Sequence, residues 1–219
     1  MLVTNQKDGH DSGHAWKPIL EAYNINEIVQ MDEDGCLIKA QSKASAQLVH
    51  IKYLKNLKGS AERLKDLTRE LLIMHELTHM PENNFTVKLH QIYIPTQPQY
   101  YFEPDCLNEL FIIYDCVDLS LQQLLDRQSQ SHFSETHLLC LSYNILCCLN
   151  FLESANILHR NLQPNNILID LQCQPLISDF SKSRSQPKHH LDYPKVKPRR
   201  SSMRYQGSST DSDLHVYMN

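Results

Sequence analysis

His159-Arg160-Asn161-Leu162-Gln163-Pro164-Asn165-Asn166-Ile167-Leu168 is the stretch on which the fold turns. Taken alone it is a polar turn. The short apolar runs Ile167-Leu168-Ile169-Asp170 and Pro175-Leu176-Ile177-Ser178 then flank a second turn, as the arms of a small hairpin do. Ser178-Asp179-Phe180-Ser181 follows at once. Upstream, residues 134–155 read as a helix that is apolar almost all round, with Leu138, Leu139, Leu141, Tyr143, Ile145, Leu146, Leu149, Phe151 and Leu152. Such a helix expects cover on several sides.

Working further outward, YNINEIVQ from Tyr23, then GCLIKAQSK, then AQLVHIKYL carry a strand-like period. SAERLKDLTRELLIMHEL places apolar residues at 64, 67, 71, 74 and 77, which is one helical face. Ser60 is its candidate N-cap, and Pro81 its stop. Two more strands, VKLHQIYI and LFIIYDCV, are separated by a Pro/Tyr-rich excursion. Residues 1–20 are rich in His, Asp, Gly and Asn and predict a loose tail. From 182 to 204 the chain carries eight Lys/Arg, one Asp and three Pro without an apolar period, which predicts a loop.

Bulk composition narrows the classes. At 219 residues the chain can bury a real core. A net charge of −4 gives no global pull toward nucleic acid or an anionic membrane. No apolar run approaches the roughly 20 residues that cross a bilayer, and residues 1–18 lack the apolar core of a signal peptide. Seven cysteines, an odd number, show no C-x-x-C spacing, and Cys140, Cys147 and Cys148 read as small buried apolar residues of the helix 134–155. A reduced, intracellular setting, cytoplasmic or nuclear, is expected.

His75-Glu76-Leu77-Thr78-His79 matches H-E-x-x-H, a zinc-protease pattern. That chemistry needs two histidines on one helical face, the glutamate as base and a third ligand from elsewhere. No acid follows in a helix-compatible place, and Glu103 precedes Pro104 in a loop. The pattern is read as a helix terminus whose histidines cap the last carbonyls, and no zinc is expected.

The order and spacing of Val49-His50-Ile51-Lys52, Glu70, the stretch 159–168 and Ser178-Asp179-Phe180-Ser181 resemble a eukaryotic protein kinase. The excursion IPTQPQYYFEPD and the short helix SLQQLLDR are similar to the mitogen-activated group. The resemblance runs from about residue 23 to about 209. It implies a two-lobed α+β fold: a five-stranded N-lobe with its hinge over 21–117, and a curtailed helical C-lobe over 118–209, between a tail 1–20 and a tail 210–219. It implies ATP and Mg²⁺ as cofactors. Lys52 would bind the α/β-phosphates and pair with Glu70, Asp179 and Asn166 would hold Mg²⁺, and Gly35 and Leu37 would lie over the nucleotide. Tyr114 falls at the gatekeeper, with Asp115 and Val117 in the adenine-contacting hinge 115–117. Met74, Leu89, His159 and Phe180 match the stacked apolar spine.

Other positions depart from the pattern. Asn161 stands where the catalytic aspartate belongs, and an amide cannot accept the substrate hydroxyl proton. Gln163 replaces the lysine that steadies the transferring phosphoryl group, removing a cation where charge develops. Ser181 replaces the glycine of D-F-G, stiffening a hinge. Of the three loop glycines only Gly35 survives, Gln30 and Asp32 holding the other two places. Asp32-Glu33-Asp34 forms an acidic tip that either repels a triphosphate or points into solvent. Ser202-Met203-Arg204-Tyr205-Gln206-Gly207-Ser208-Ser209 is the best match to the end of the activation segment, with A-P-E become GSS.

Two functional readings follow. One is a pseudokinase serving as a regulatory or scaffold partner, with ATP binding weak or absent and a protein partner or second copy covering the incomplete C-lobe. The other is an active Ser/Thr kinase that retains Lys52, Glu70, Asn166 and Asp179. The basic loop reads either as a solvated activation loop or as a dock for an acidic partner, switched by phosphorylation at Ser201 or Ser202.

Overall fold

The computed structural model describes residues 12–95, 107–117, 119–126, 135–170 and 172–186. The expectations for most of the excursion, for the activation-segment match, for Ser201 and Ser202 and for the tail 210–219 lie outside the described residues. Two compact units divide the chain, one running through Leu67 and adding Lys88–Cys116, the other holding Thr68–Val87 and the residues from Val117 onward.

The first unit is built on an antiparallel five-stranded sheet. Its strands are β1 (Tyr23–Asp32), β2 (Gly35–Ser42), β3 (Leu48–Leu54), β4 (Leu89–Tyr93) and β5 (Leu110–Asp115), in the order β1-β2-β3-β5-β4. Side chains alternate across a strand, so Val49, Ile51 and Tyr53 of β3 enter one core with Ile38, Ala40, Phe111 and Ile113. β1 and β2 form a hairpin whose last partners are Asp32 and Gly35. Gly35 has φ +153° beneath the carbonyl of Tyr53, and a Cβ there would overlap that oxygen. The surviving glycine is therefore required by close backbone approach. At the tip, Asp34 N–H donates to Asp32 Oδ1 at 2.9 Å and Asp34 Oδ1 meets Arg63 Nη1 at 2.9 Å.

Residues 12–20 depart from the expected loose tail. Helix α1 (Ser12–Ala22) covers the sheet, burying Ala15 and Ile19 in the core of the first unit. Trp16 packs at 5.0 Å from the ring of Tyr53 and edge-on to Phe111 at 4.8 Å. Pro18 lies inside this helix and costs it one backbone hydrogen bond. Burial of Ala15, Trp16 and Ile19, spaced three and four apart, outweighs that loss.

Helix α2 (Ala61–His79) begins as expected, with Arg63 N–H donating to Ser60 Oγ at 3.2 Å. Its end is closed by side chains. His79 Nδ1–H donates to the carbonyl of His75 at 2.8 Å, and buried Asn83 donates to the carbonyl of Leu77 at 2.7 Å. The Leu77 carbonyl is one of the last four, which the helix leaves without an i+4 partner. The His79 side chain thus bonds a carbonyl near the terminus, as expected, whereas His75 contributes only its backbone oxygen to that bond.

The second unit holds β6 (Leu119–Ser120), α3 (Leu121–Asp126), α4 (Glu135–Ser154), β7 (Ile157–Leu158), β8 (Ile167–Ile169), β9 (Pro175–Ile177) and β10 (Arg184–Ser185). β8 and β9 are the predicted small hairpin and β6 adds a third strand, while β10 pairs with β7. Helix α4 packs through Cys148, Phe151 and Leu152, whereas Leu138, Leu139, Tyr143 and Leu146 are exposed. Cys140 is exposed as well, against the expectation of burial, because it lies in the N-terminal half of the helix, away from these contacts. Cys148 is buried, its thiol donating to the carbonyl of Pro175 at 3.3 Å, and burial pushes its pKa up to about 12. Among the described residues no helix is long and apolar enough to cross a membrane.

Candidate functional site

In the first unit the expected nucleotide-facing residues share one side of the sheet. Leu37 of β2 and Lys52 of β3 are cross-strand partners, and His50 is the partner of Tyr114. Their side chains fall on the face opposite Val49, Ile51 and Tyr53. Asp115 closes β5 and turns its carboxylate toward β4, where Oδ2 accepts from Lys88 N–H at 2.9 Å and Oδ1 meets His90 Nε2 at 2.8 Å. Gly35 opens β2 as described, and Val117, half-buried, is already a residue of the second unit. The acidic tip carries less net charge toward a ligand than its sequence suggests, because Asp34 is paired with Arg63.

In the second unit Glu70 and Met74 are buried along α2. The polar stretch 159–166 leaves β7 and folds back through a 3-10 turn, Pro164–Asn166, into β8. Proline opens that turn without losing a needed donor. The turn brings Asn166 and Asn161 to Asp179, which follows β9. Ser178 N–H and Oγ–H both donate to the Asn166 carbonyl, at 3.0 and 3.2 Å, and lock the two segments together. Arg160 and Asp179 adopt φ values of +65° and +61°. Asp tolerates the left-handed region better than most residues. Gln163 is exposed, and its backbone carbonyl accepts from Asn166 N–H at 2.8 Å.

Every accepting position of the Asp179 carboxylate faces a donor. Asn161 Nδ2 donates to Oδ2 at 2.8 Å and Asn166 Nδ2 donates to the same oxygen at 3.1 Å. Ser181 supplies its hydroxyl to Oδ1 at 2.7 Å and its backbone N–H at 3.4 Å. A carboxylate offers about four lone-pair directions, and four donors take them. Because a carboxylate only accepts, the amide nitrogen of Asn161, not its oxygen, must face Asp179. Two of these partners, Asn161 and Ser181, are the residues that break the expected pattern. From the sequence Ser181 reads as a stiffer hinge. Its hydroxyl as an Asp179 partner emerges only in three dimensions.

Magnesium requires oxygen lone pairs in a near-octahedral arrangement. Here the oxygens of Asp179 are turned to N–H and O–H groups, and the amide nitrogen of Asn166 also donates inward to the Asn161 carbonyl at 2.8 Å. This donor set does not fit the ion: a metal would have to displace hydrogen bonds already made.

His159 anchors the network from below. It is buried, its Nε2–H donates to the Ser178 carbonyl at 2.9 Å, and its Nδ1 accepts from Asn161 N–H at 3.3 Å. Phe180, fully buried, meets the imidazole edge-on at 5.2 Å, and Ser183 Oγ–H donates to the His159 carbonyl at 3.1 Å. Burial lowers the His159 pKa below its ordinary 6.5, overcoming the opposite pull of the Ser178 carbonyl and of Asp179. The unfolded chain therefore takes up a proton that the folded chain refuses. Stability from this group is complete above about pH 6.5 and is lost as pH falls through the lower folded value. Thermal melts from pH 7.5 to 5 should show a falling midpoint, and His159→Gln should flatten that slope. An identical slope in the variant would remove His159 as its source.

Comparison with known proteins adds an independent line. Residues 24–205 match the protein kinase domain family. Mitogen-activated protein kinase 1 of Oryza sativa subsp. japonica is 30% identical over 151 residues, which is 69% of this chain and 35% of the relative. Extracellular signal-regulated kinase 1 of Candida albicans is 30% identical over 167 residues, 76% of this chain and 37% of the relative. Mitogen-activated protein kinase 4a of Physcomitrium patens is 32% identical over 120 residues, 55% and 30% of the two chains. The matches span about a third of the length of these relatives.

Proposed function

This chain belongs to the protein kinase domain family, and we propose that within it the chain is a pseudokinase: a regulatory or scaffold partner in intracellular signalling that does not transfer phosphate. Protein kinases position ATP and Mg²⁺ and neutralise charge on the moving phosphoryl group. The observation that carries the reading is Asn161 Nδ2 donating to Asp179 Oδ2 at 2.8 Å. Residue 161 presents a donor where an acceptor for the hydroxyl proton is needed, and it spends that donor on the carboxylate that would hold metal. Gln163 brings no cation to the developing charge.

A partner role is supported by α4. Leu139, Tyr143 and Leu146 fall on one helical stripe, with Leu139 64% and Leu146 63% exposed. Exposed apolar stripes of this kind mark interaction surfaces, and a protein partner or a second copy of the chain is the occupant this reading expects. The domain arrangement proposed is an N-lobe with hinge over 21–117 and C-lobe residues over 118–209.

The opposing reading, an active Ser/Thr kinase, draws on the retained Lys52, Glu70, Asn166 and Asp179. Transfer of γ-phosphate to a basic protein in the presence of Mg²⁺ separates the two. No labelling above a Lys52→Ala control is expected. Turnover within tenfold of the kinase relatives, abolished by Lys52→Ala, would overturn the proposal.

A further inference from the structure

We propose that His50 is a built-in plug on the sheet face that would receive the adenine ring, and that its imidazole keeps adenine nucleotides out. The proposal deepens the reading above and rests on the position that the kinase resemblance implies for ATP, against Lys52 and the hinge 115–117. It concerns a different residue from those that disable transfer.

Three observations meet at this side chain. First, His50 and Lys52 are two residues apart on β3, so they share a face. His50 is the one nearer the hinge, directly across from Tyr114. Second, the imidazole has two neighbours on the β5 side. Nε2 lies 3.5 Å from Cys116 Sγ, and the ring stands edge-on to Tyr114 at 5.8 Å between centroids. Third, His50 is only 6% exposed. The ring is therefore covered rather than swung out to solvent.

The chemistry of a base site explains why this matters. An adenine ring needs a flat, mostly apolar surface beside a few polar backbone groups. In the strand motif V-A-I-K an alanine stands two residues before the lysine, and a single methyl occupies far less of that face than an imidazole. Here the motif reads Val49-His50-Ile51-Lys52. A five-membered ring reaching Cys116 fills the approach to the hinge, and close-packed atoms cannot share that space with a purine. For a base to enter, the imidazole must give up its Cys116 contact and its burial together.

The test is binding of a fluorescent adenine nucleotide to the full chain, without Mg²⁺ so that Asp179 plays no part. Wild type is compared with His50→Ala and His50→Val, the latter retaining a residue suited to a strand. At least one folded variant should bind at least tenfold more tightly than wild type, equivalent to about 1.4 kcal/mol. Wild-type affinity equal to that of the variants would overturn the plug. So would the absence of binding by folded variants, since something other than the ring would then exclude the base. The outcome is separable from the pseudokinase reading. Phosphate transfer appearing in His50→Ala would overturn that reading while leaving the plug in place, whereas tight, silent binding by wild type would do the reverse.

Discussion

Asn161→Asp is expected to lower the thermal midpoint in metal-free buffer and to make stability depend on Mg²⁺. The substitution removes the 2.8 Å bond from Asn161 Nδ2 to Asp179 Oδ2. A hydrogen bond to a charged group contributes about 1.5–3 kcal/mol. It also sets a second carboxylate against the first, and like charges about 4 Å apart repel by roughly 4 kcal/mol at an effective dielectric of 20. Rotation of the new side chain and entry of water relieve much of that term, leaving a net cost of about 3 kcal/mol. For a chain of this size such a loss shifts the midpoint by roughly 6–12 °C. Mg²⁺ offers the pair a shared cation, so millimolar Mg²⁺ should recover most of the loss in the variant and shift wild type little. The measurement is a melt of each protein with and without the ion. Equal midpoints in metal-free buffer, or an equal Mg²⁺ response, would show that the amide at 161 does not substitute for the metal.

What the sequence made legible follows from the range of the interactions involved. Strands β1 to β5 and helices α2 and α4 were readable because their apolar periods are set within one segment. Asn161, Asn166 and Asp179 could be placed beside one another because their spacing matches a known pattern. The direction of the Asn161 amide and the Ser181 hydroxyl could not be read, because both depend on a carboxylate brought in by a different turn. The same holds at the acidic tip, where Asp34 is compensated by Arg63, 29 residues away. Nothing in the sequence singles out His50 from its neighbours, because β5 and the hinge are what supply Tyr114 and Cys116 on its side of the sheet. Helix α1 escaped for a different reason. Gly13 and Pro18 argue against a helix, and the apolar stripe through Ala15, Trp16 and Ile19 is only about two turns long. Isolated helices of such length are marginal, so this one exists by virtue of the aromatic surface it lands on.

That dependence yields the largest stability effect expected in the first unit. Phe111 is fully buried on β5. Its ring stacks on Tyr53 at 4.7 Å, receives Trp16 edge-on at 4.8 Å and meets Tyr93 at 6.0 Å. Phe111→Ala should cost about 3–5 kcal/mol, from lost transfer energy and the cavity left among rings that cannot collapse into it. That is a large share of the 5–15 kcal/mol typical of a folded domain. Trp16 is the only tryptophan in the chain, so intrinsic emission reports on α1 directly. In wild type the emission should be blue-shifted from that of the denatured chain, and Phe111→Ala should move it toward the red as the helix loosens from the sheet. A cycle with Trp16→Ala should give a coupling of roughly 0.5–1.5 kcal/mol, the range found for aromatic pairs. Emission at the denatured wavelength in the folded wild type, or zero coupling in the cycle, would mean that α1 does not rest on Phe111. The first twenty residues would then be the loose tail that their composition suggests.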